Sequence, residues 1–557
     1  MALRPRLALA AAGALAALLA GCGGGDGGQG FAGTVVQKRP NILLIVADDL
    51  GYSDIGAFGG EIRTPHLDAL AAEGQVLTDY HTAATCSPTR SMLFSGTDHH
   101  LAGLGSMAEA LAPNQVGQPG YEGYLNDRSL SIAQLLRDGG YRTYMAGKWH
   151  LGLDAAHSPK VRGFESSFAL LEGFSDHFAA VPAKPQPSSL GTFREGDAVV
   201  PKPADFYSTR TFTDKLLAYL DQPRDGQPFF AYAAYTAPHW PLQAPEDYID
   251  RYKGRYDAGY EPIRAARIAK QKQLGILPAA FEPSPSLPST QGNPRWADLS
   301  DTQKQEEARR MEIYAAMVEN LDHHIGRLIQ KLKDTGEYDN TLIFFMSDNG
   351  AEGGTGGIGR PTQHVDNRLE NLGRPLSYVA YGKRWAEVSA TPFRLWKGNP
   401  TEGGTSAPAI VRLPKALAAR SGGRLDGLAH VTDLAPTFLE LAGVANPGAR
   451  YRGGDVHPIT GVSLLPTIRG GAATAHAPGS VLVDELFGGR YVRQDGWKLV
   501  HVPPPEGPGR WELFDLTKDR AEAKDQSAAR PDLVSELSAQ WDAYVKRVGV
   551  ILAGPKP

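Results

Sequence analysis

Asn41-Ile-Leu-Leu-Ile-Val-Ala47 is an unbroken apolar run that stops at Asp48-Asp49-Leu50-Gly51. A strand with one face in water alternates polar and apolar residues, so a run without alternation describes a strand buried on both faces. The design recurs: Thr341-Leu-Ile-Phe-Phe-Met346 ends in Ser347-Asp348-Asn349-Gly350, and Phe229-Phe-Ala-Tyr-Ala-Ala-Tyr235 ends in Ala237-Pro238-His239-Trp240. The stretch from Arg142 to Ala146 ends in Lys148-Trp149-His150. Helical patterns lie between these runs: Pro65 to Glu73 closed by Gly74, Ser129 to Arg137 closed by Gly139-Gly140, and a long one from Ser300 to Lys333 that opens with capping-box spacing at Ser300 and Gln303. The alternation predicts an α/β fold, a large, mainly parallel (mixed) sheet sandwiched by helices. Ligands of such sheets bind beyond the carboxyl ends of the strands, so the polar endings are expected to converge on one site.

Further along, the texture changes. Short alternating segments at Val481 to Leu486, Tyr491 to Arg493, Trp497 to His501 and Trp511 to Phe514 precede an amphipathic pattern from Pro531 to Lys546. This spacing predicts a small C-terminal antiparallel-sheet subdomain carrying one helix. The expected boundaries are a main domain over 38–472 and the subdomain over 473–557. Pro- and Gly-rich stretches at Ala180 to Pro203 and Gly275 to Arg295 read as long surface insertions.

The balance of 57 Lys+Arg against 61 Asp+Glu, a net charge of −4 over 557 residues, lacks the basic face a nucleic-acid binder needs. The two cysteines, Cys22 and Cys86, sit in contexts that argue against a disulfide. Arg4 and Arg6 precede an apolar run from Leu7 to Ala20 and then Leu19-Ala20-Gly21-Cys22, which has the form of a bacterial lipoprotein signal. The run is shorter than the roughly twenty residues a membrane-spanning helix requires. Residues 1–21 are therefore expected to be removed, and 22–37 to form a Gly-rich flexible tether holding the protein to a membrane through a lipidated Cys22.

Cys86-Ser-Pro-Thr-Arg90 opens another helical pattern. Pro88 suits a first turn, which puts Cys86 where free N–H groups favour an anion, and Arg90 returns to the same face four residues on. Asp48, Asp49, Asp348 and Asn349 offer only oxygen ligands from two strand ends, the preference of a hard cation, with Ca2+ ahead of Mg2+. Zinc would call for His or Cys. Lys148 and His150 lie two apart and point the same way in extended backbone.

Together the segments CSPTRSMLFSG, NILLIVADDLGYSDIG, LAGLGSMAE, GYRTYMAGKWHLG, APHWP, FFMSDNGAEGG, SYVAYGKRW, LWKGNPTEGGTSAP and HVTDLAPTFLELAG, with the terminal DGWKLV and GPGRWELFDL, resemble the formylglycine-dependent sulfatases of the alkaline phosphatase superfamily, closest to the bacterial arylsulfatases. The resemblance implies hydrolysis of small sulfate monoesters, with Cys86 converted to formylglycine by a maturating enzyme. A sulfated hydrate can expel sulfate by collapsing to the aldehyde, whereas an ordinary serine ester would persist. It further implies that Arg90 positions the formylglycine and that Lys148 and Lys397 hold the sulfate oxygens. His150 contacts the formylglycine hydroxyl, and His239 serves the leaving oxygen. The metal is held by Asp48, Asp49, Asp348 and Asn349, with the modified Cys86 completing the set. Thr89 stands in place of the commoner Ser, and Ser406 where Arg often stands. A formylglycine-dependent phosphonate monoester or phosphodiester hydrolase is the enzymatic alternative, and a glycan-binding surface lipoprotein that keeps a thiol at Cys86 is the other. His323-His324 and Asp433 read as solvated or capping groups, and His99-His100 as structural, with lining of the substrate pocket as their lesser reading.

Overall fold

The computed structural model describes residues 38–179, 191–290, 292–353, 365–419 and 422–554, so the expected signal, tether and Cys22 lie outside the described residues. Its main sheet has ten strands in the order Arg424–Leu425, Gln75–Leu77, Ala409–Arg412, Thr341–Ser347, Asn41–Ala47, Phe229–Ala234, Arg142–Lys148, Ser166–Leu170, Phe193–Glu195, Ala198–Val200. The five from Thr341–Ser347 to Ser166–Leu170 run parallel, while Ala409–Arg412 and the two at the far edge are antiparallel to their neighbours. The sheet is thus mixed and mainly parallel.

Asn41–Ala47 is the centre, buried at every residue. Leu43 and Ile45 point into one core with Met311, Leu321 and Leu328 of the helix Asp301–Asp334 and Phe212 and Leu216 of the helix Ser208–Leu220. Ile42, Leu44 and Val46 point the other way, onto Met92 and Phe94 of the helix Cys86–Ser95, Leu135 and Phe438. An alternating sequence could not serve both cores, which is why the run is continuous. Ser300 caps the long helix through the expected capping box with Gln303.

The expectation of a plain surface insertion over 180–203 needs correction: its second half forms Phe193–Glu195 and Ala198–Val200, which extend the sheet edge. The hairpin is short, and it is seated by Phe193 packing into the core.

The C-terminal sheet has the order Val481–Leu486, Gly489–Gln494, Trp497–His501, Trp511–Asp515, antiparallel throughout, and is backed by the helix Pro531–Val548. Val492, Leu499 and Leu513 face that helix through Leu537, Trp541 and Tyr544, while Tyr491, Val500 and Phe514 join the main core. Residues from Arg39 onward form one compact unit. No helix among the described residues is long and apolar enough to cross a membrane.

Candidate active site

The carboxyl ends of the parallel strands deliver the polar groups. Asp48 and Asp49 follow Asn41–Ala47, Asp348 and Asn349 follow Thr341–Ser347, Lys148 closes Arg142–Lys148, and His239 lies just beyond Phe229–Ala234. Cys86 is the first residue of the helix Cys86–Ser95, beyond the same strand ends, and every residue of that helix is buried. One ligand atom each from Asp48, Asp49, Cys86 and His239 lie within 4.8 Å of one another.

The charges interlock. Arg90 donates from Nε and Nη2 to Asp348 Oδ2 at 3.0 and 2.8 Å, and from Nη1 to the Lys148 carbonyl at 3.0 Å and the Tyr232 hydroxyl at 2.9 Å. Lys148 Nζ lies 2.8 Å from both oxygens of Asp48, Lys397 Nζ 2.9 Å from Asp49 and 3.1 Å from Glu352. Asn349 Nδ2 donates to Asp49 Oδ1 at 2.7 Å. Burial, with the Asp348 and Asp49 carboxylates adding to it and Lys148 opposing, pushes Asp48 up to about 8. Asp49 moves the other way, to about 2, because Lys397 and His239 outweigh its burial. Burial also drives the Cys86 thiol upward against the pull of Lys148 and Lys397.

The two histidines are held neutral in different settings. His239 Nδ1 lies 2.6 Å from the Trp240 carbonyl, and its Nε2 faces Asp49 Oδ2 at 3.4 Å. Burial, then Lys397 and Lys148, hold it well below the ordinary range despite Asp49. His150 Nε2 lies 3.0 Å from Glu109 Oε1, and its Nδ1 is buried without a partner. Asp49 and His150 both have left-handed backbone, φ 66° and 56°, a conformation costing about 1 kcal/mol or more that persists where the surroundings enforce it. Beside His239, Phe174 stacks at 5.8 Å and touches Trp240 at 4.5 Å, with Tyr378 edge-on to Trp240 at 5.4 Å, so three half-buried rings form a wall.

The donors fit a hard cation. Asn349 Oδ1 is buried and unpartnered, and the crowded carboxylates that raise Asp48 are groups a bound cation would relieve.

The family profile described as Sulfatase matches residues 40–444. The chain belongs to the sulfatase family. An uncharacterised sulfatase of Schizosaccharomyces pombe is 44% identical over 532 residues, 93% of this chain and 95% of its own length. The arylsulfatase of Klebsiella aerogenes is 39% identical over 443 residues, 78% of this chain and 93% of that protein. Among solved structures, that of Ps i-CgsB overlays with a TM-score of 0.64 at 24% identity, covering 91% of this chain and 92% of its own. The sulfatase therefore hydrolyses sulfate esters and shares the fold of the alkaline phosphatase superfamily.

The site residues expected from sequence lie at this end of the sheet, Lys397 reaching Asp49 from the loop before the short helix Glu402–Thr405 and His150 held on Glu109. Sequence reasoning missed Glu109, although it lies in the LAGLGSMAE segment, and missed Tyr232 and Glu352. His99 and His100 do not line the site: they bind Asp484 at 2.8 Å and Glu485 at 3.3 Å of the C-terminal sheet. Asp433 accepts from the backbone of His430 and Val462 and from His476, a structural hub. His323 and His324 line a cavity of about 820 Å³ with Asn320 and Arg327 of the same helix, Asp301–Asp334, and Tyr248 of the short helix Glu246–Ile249. Ser406 binds Glu402 at 3.0 Å, and the cation expected at that position arrives from the C-terminal sheet, with Lys498 at 2.9 Å from the same carboxylate.

Proposed function

We propose that this sulfatase is an arylsulfatase that works through formylglycine at Cys86 on a Ca2+ site, with Mg2+ the lesser candidate. The observation that carries the reading is the meeting of Cys86, Arg90, Lys148 and Lys397 with the oxygen-donor cluster Asp48, Asp49, Asp348 and Asn349. The aromatic wall of Phe174, Trp240 and Tyr378 beside His239 supports an aryl leaving group, because flat apolar rings stack on one another.

Conversion of Cys86 supplies a hydrated aldehyde, whose sulfated form releases sulfate on return to the aldehyde. Bound Ca2+ would polarise the sulfate oxygens. Asp48, Asp49 and Asp348 crowd together against Lys148, Lys397 and Arg90, so a divalent cation would relieve the carboxylates and draw in an anionic ester. Arg90, locked on Asp348, holds the nucleophile end. Lys148 and Lys397 receive the sulfate oxygens. Lys397, whose ammonium is stabilised by Asp49 and Glu352 against its burial, stays cationic where negative charge develops. His239 orients the leaving oxygen and must gain a proton before it can donate one from Nε2.

The amino-terminal pattern carries the rest of the proposal: export, removal of residues 1–21 and lipidation of Cys22 to a bacterial membrane, facing the periplasm or the cell surface. Loss of metabolic lipid labelling in Cys22→Ser is the expected result.

The test of activity compares an aryl sulfate, an aryl phosphate and a phosphonate monoester on protein co-produced with a formylglycine-generating enzyme, the aldehyde confirmed by hydrazide labelling. Preference for the aryl sulfate, lost in Cys86→Ala, is expected. Preference for the phosphonate ester would move the enzyme to that branch, and no turnover with the aldehyde present would favour a glycan-binding lipoprotein.

A further inference from the structure

Glu109 sits on the turn Ala108–Ala110, on no strand end, with its side chain 55% exposed, yet its Oε1 lies 3.0 Å from Nε2 of the buried His150. A carboxylate only accepts, so the proton of this contact belongs to Nε2. In a neutral imidazole the other nitrogen then carries a lone pair, and here it is Nδ1, buried and without a partner. The ring cannot readily turn away. A Cβ built on Gly173 would stand 2.7 Å from His150 Cε1 and 3.2 Å from Nδ1, so the ring lies flush against the backbone there, and the left-handed φ of 56° fixes its root.

The charges around the pair agree. Burial, with Lys148 and Arg90 acting in the same sense, holds His150 below its ordinary range against Glu109, so the ring is neutral at physiological pH. Although its burial acts the other way, the hydrogen bond from His150 holds Glu109 down at about 2, so the carboxylate stays ionised.

We propose that Glu109 is a positioning residue that holds His150 as the Nε2–H tautomer, leaving Nδ1 as the proton acceptor for the nucleophile's hydroxyl. The proposal rests on the formylglycine reading and on the contact of His150 with that hydroxyl which the family resemblance implies. In the step it serves, the hydroxyl proton moves to Nδ1, the oxygen's electron pair forms the aldehyde C=O, and the C–O bond to sulfate breaks with sulfate as the leaving group. His150 then returns the proton to solvent. A serine-protease triad uses a carboxylate for the same purpose, and loss of tautomer control there costs about 10⁴-fold. Carboxylates that orient a metal-binding histidine contribute about 10–100-fold, and the exposed setting of Glu109 points to that smaller range.

The test reads the tautomer apart from the reaction. Histidine-labelled protein with Cys86 kept as a thiol is examined by long-range ¹H–¹⁵N NMR, with the His150 signals assigned by their loss in His150→Gln. Wild type is expected to show a pyridine-type Nδ1 and a pyrrole-type Nε2, and Glu109→Ala a mixture of tautomers. In matured enzyme, Glu109→Ala is expected to lower kcat about 10–100-fold with KM nearly unchanged. Glu109→Gln, whose amide oxygen can still accept, should retain more activity. A protonated Nδ1 in wild type, or an unchanged tautomer in Glu109→Ala, would overturn the positioning role. A tautomer that shifts while kcat stays at the wild-type value would overturn the assignment of His150 as the acceptor instead.

Discussion

Beneath the C-terminal sheet, Glu402 lies 2.9 Å from Lys498, 3.2 Å from Arg520 and 3.1 Å from His81, and Asp79 binds Arg493 and, at 3.0 Å, Arg520. At the carboxyl ends of the main sheet, Asp48, Asp49 and Asp348 are just as deeply buried and also face lysine and arginine. The residue types are the same, but the completeness of the pairing differs. In the first cluster cations from the C-terminal sheet and the segment after it face each acid, Glu522 Oε1 lying 3.0 Å from Lys498, and Arg520 Nε, a donor, is left over. In the second, the acceptors Asn349 Oδ1 and His150 Nδ1 are left buried without partners. Burying charge is costly in either place, and a closed network recovers the cost by fixing one docking geometry. An incomplete one keeps acceptors waiting for a ligand, which is the mark of a site that binds and reacts.

The comparison can be broken most forcefully at the nucleophile. Cys86→Ala should lower turnover on the order of 10⁴–10⁶-fold, as removal of a nucleophile does, with the melting temperature nearly unchanged, because a small buried group is replaced by one of similar size. Lys397→Met should cost about 10²–10³-fold in kcat, and more than His239→Gln, because the lysine carries its proton and the histidine must first acquire one. Steady-state kinetics on both variants checks the order.

The closed cluster should respond in stability instead. Lys498→Met strands Glu402 and Glu522 in the interior, an expected loss of about 3–5 kcal/mol in urea unfolding. Turnover per folded molecule should fall much less than in Lys397→Met. A collapse of activity in fully folded Lys498→Met would mean that Glu402, five residues from Lys397, is part of the reactive machinery and that the two clusters are one.

A smaller effect concerns His100, packed among Asp98, Glu485, His99, Tyr121 and Tyr544. Burial alone would lower it, but hydrogen bonds to Asp98 and Glu485 push it up to about 10. Its unfolded value is about 6.5, so its contribution is complete below that pH and disappears as pH rises toward 10. The melting-temperature gap between wild type and His100→Gln should narrow across this window, and a gap independent of pH would show that His100 is not charged in the fold.

Much of this architecture was legible in the sequence because the central strands carry no alternation. Asn41–Ala47 and Thr341–Ser347 had to be buried on both faces, and their polar endings had to meet. The edge was harder to read. Phe193–Glu195 and Ala198–Val200 are each three residues long, too short for a periodic signal, and they exist because the neighbouring strand Ser166–Leu170 offers its free edge. The site residues on strand ends were visible through the same logic and through motif likeness. Glu109 was not, since a lone acid on an irregular turn reads as solvated until the fold brings it to His150. Nor was the cation beneath Glu402, which comes from Lys498, 96 positions away in sequence.

Calcium titration into chelator-treated protein, followed by calorimetry, tests the central contrast most directly. One bound ion is expected in wild type and in Lys498→Met. Binding should be sharply weakened in Asn349→Ala, which removes the unpartnered oxygen together with the amide that donates to Asp49. Absence of binding in wild type, or binding that survives Asn349→Ala and disappears in Lys498→Met, would contradict the assignment of the open cluster as the reactive centre.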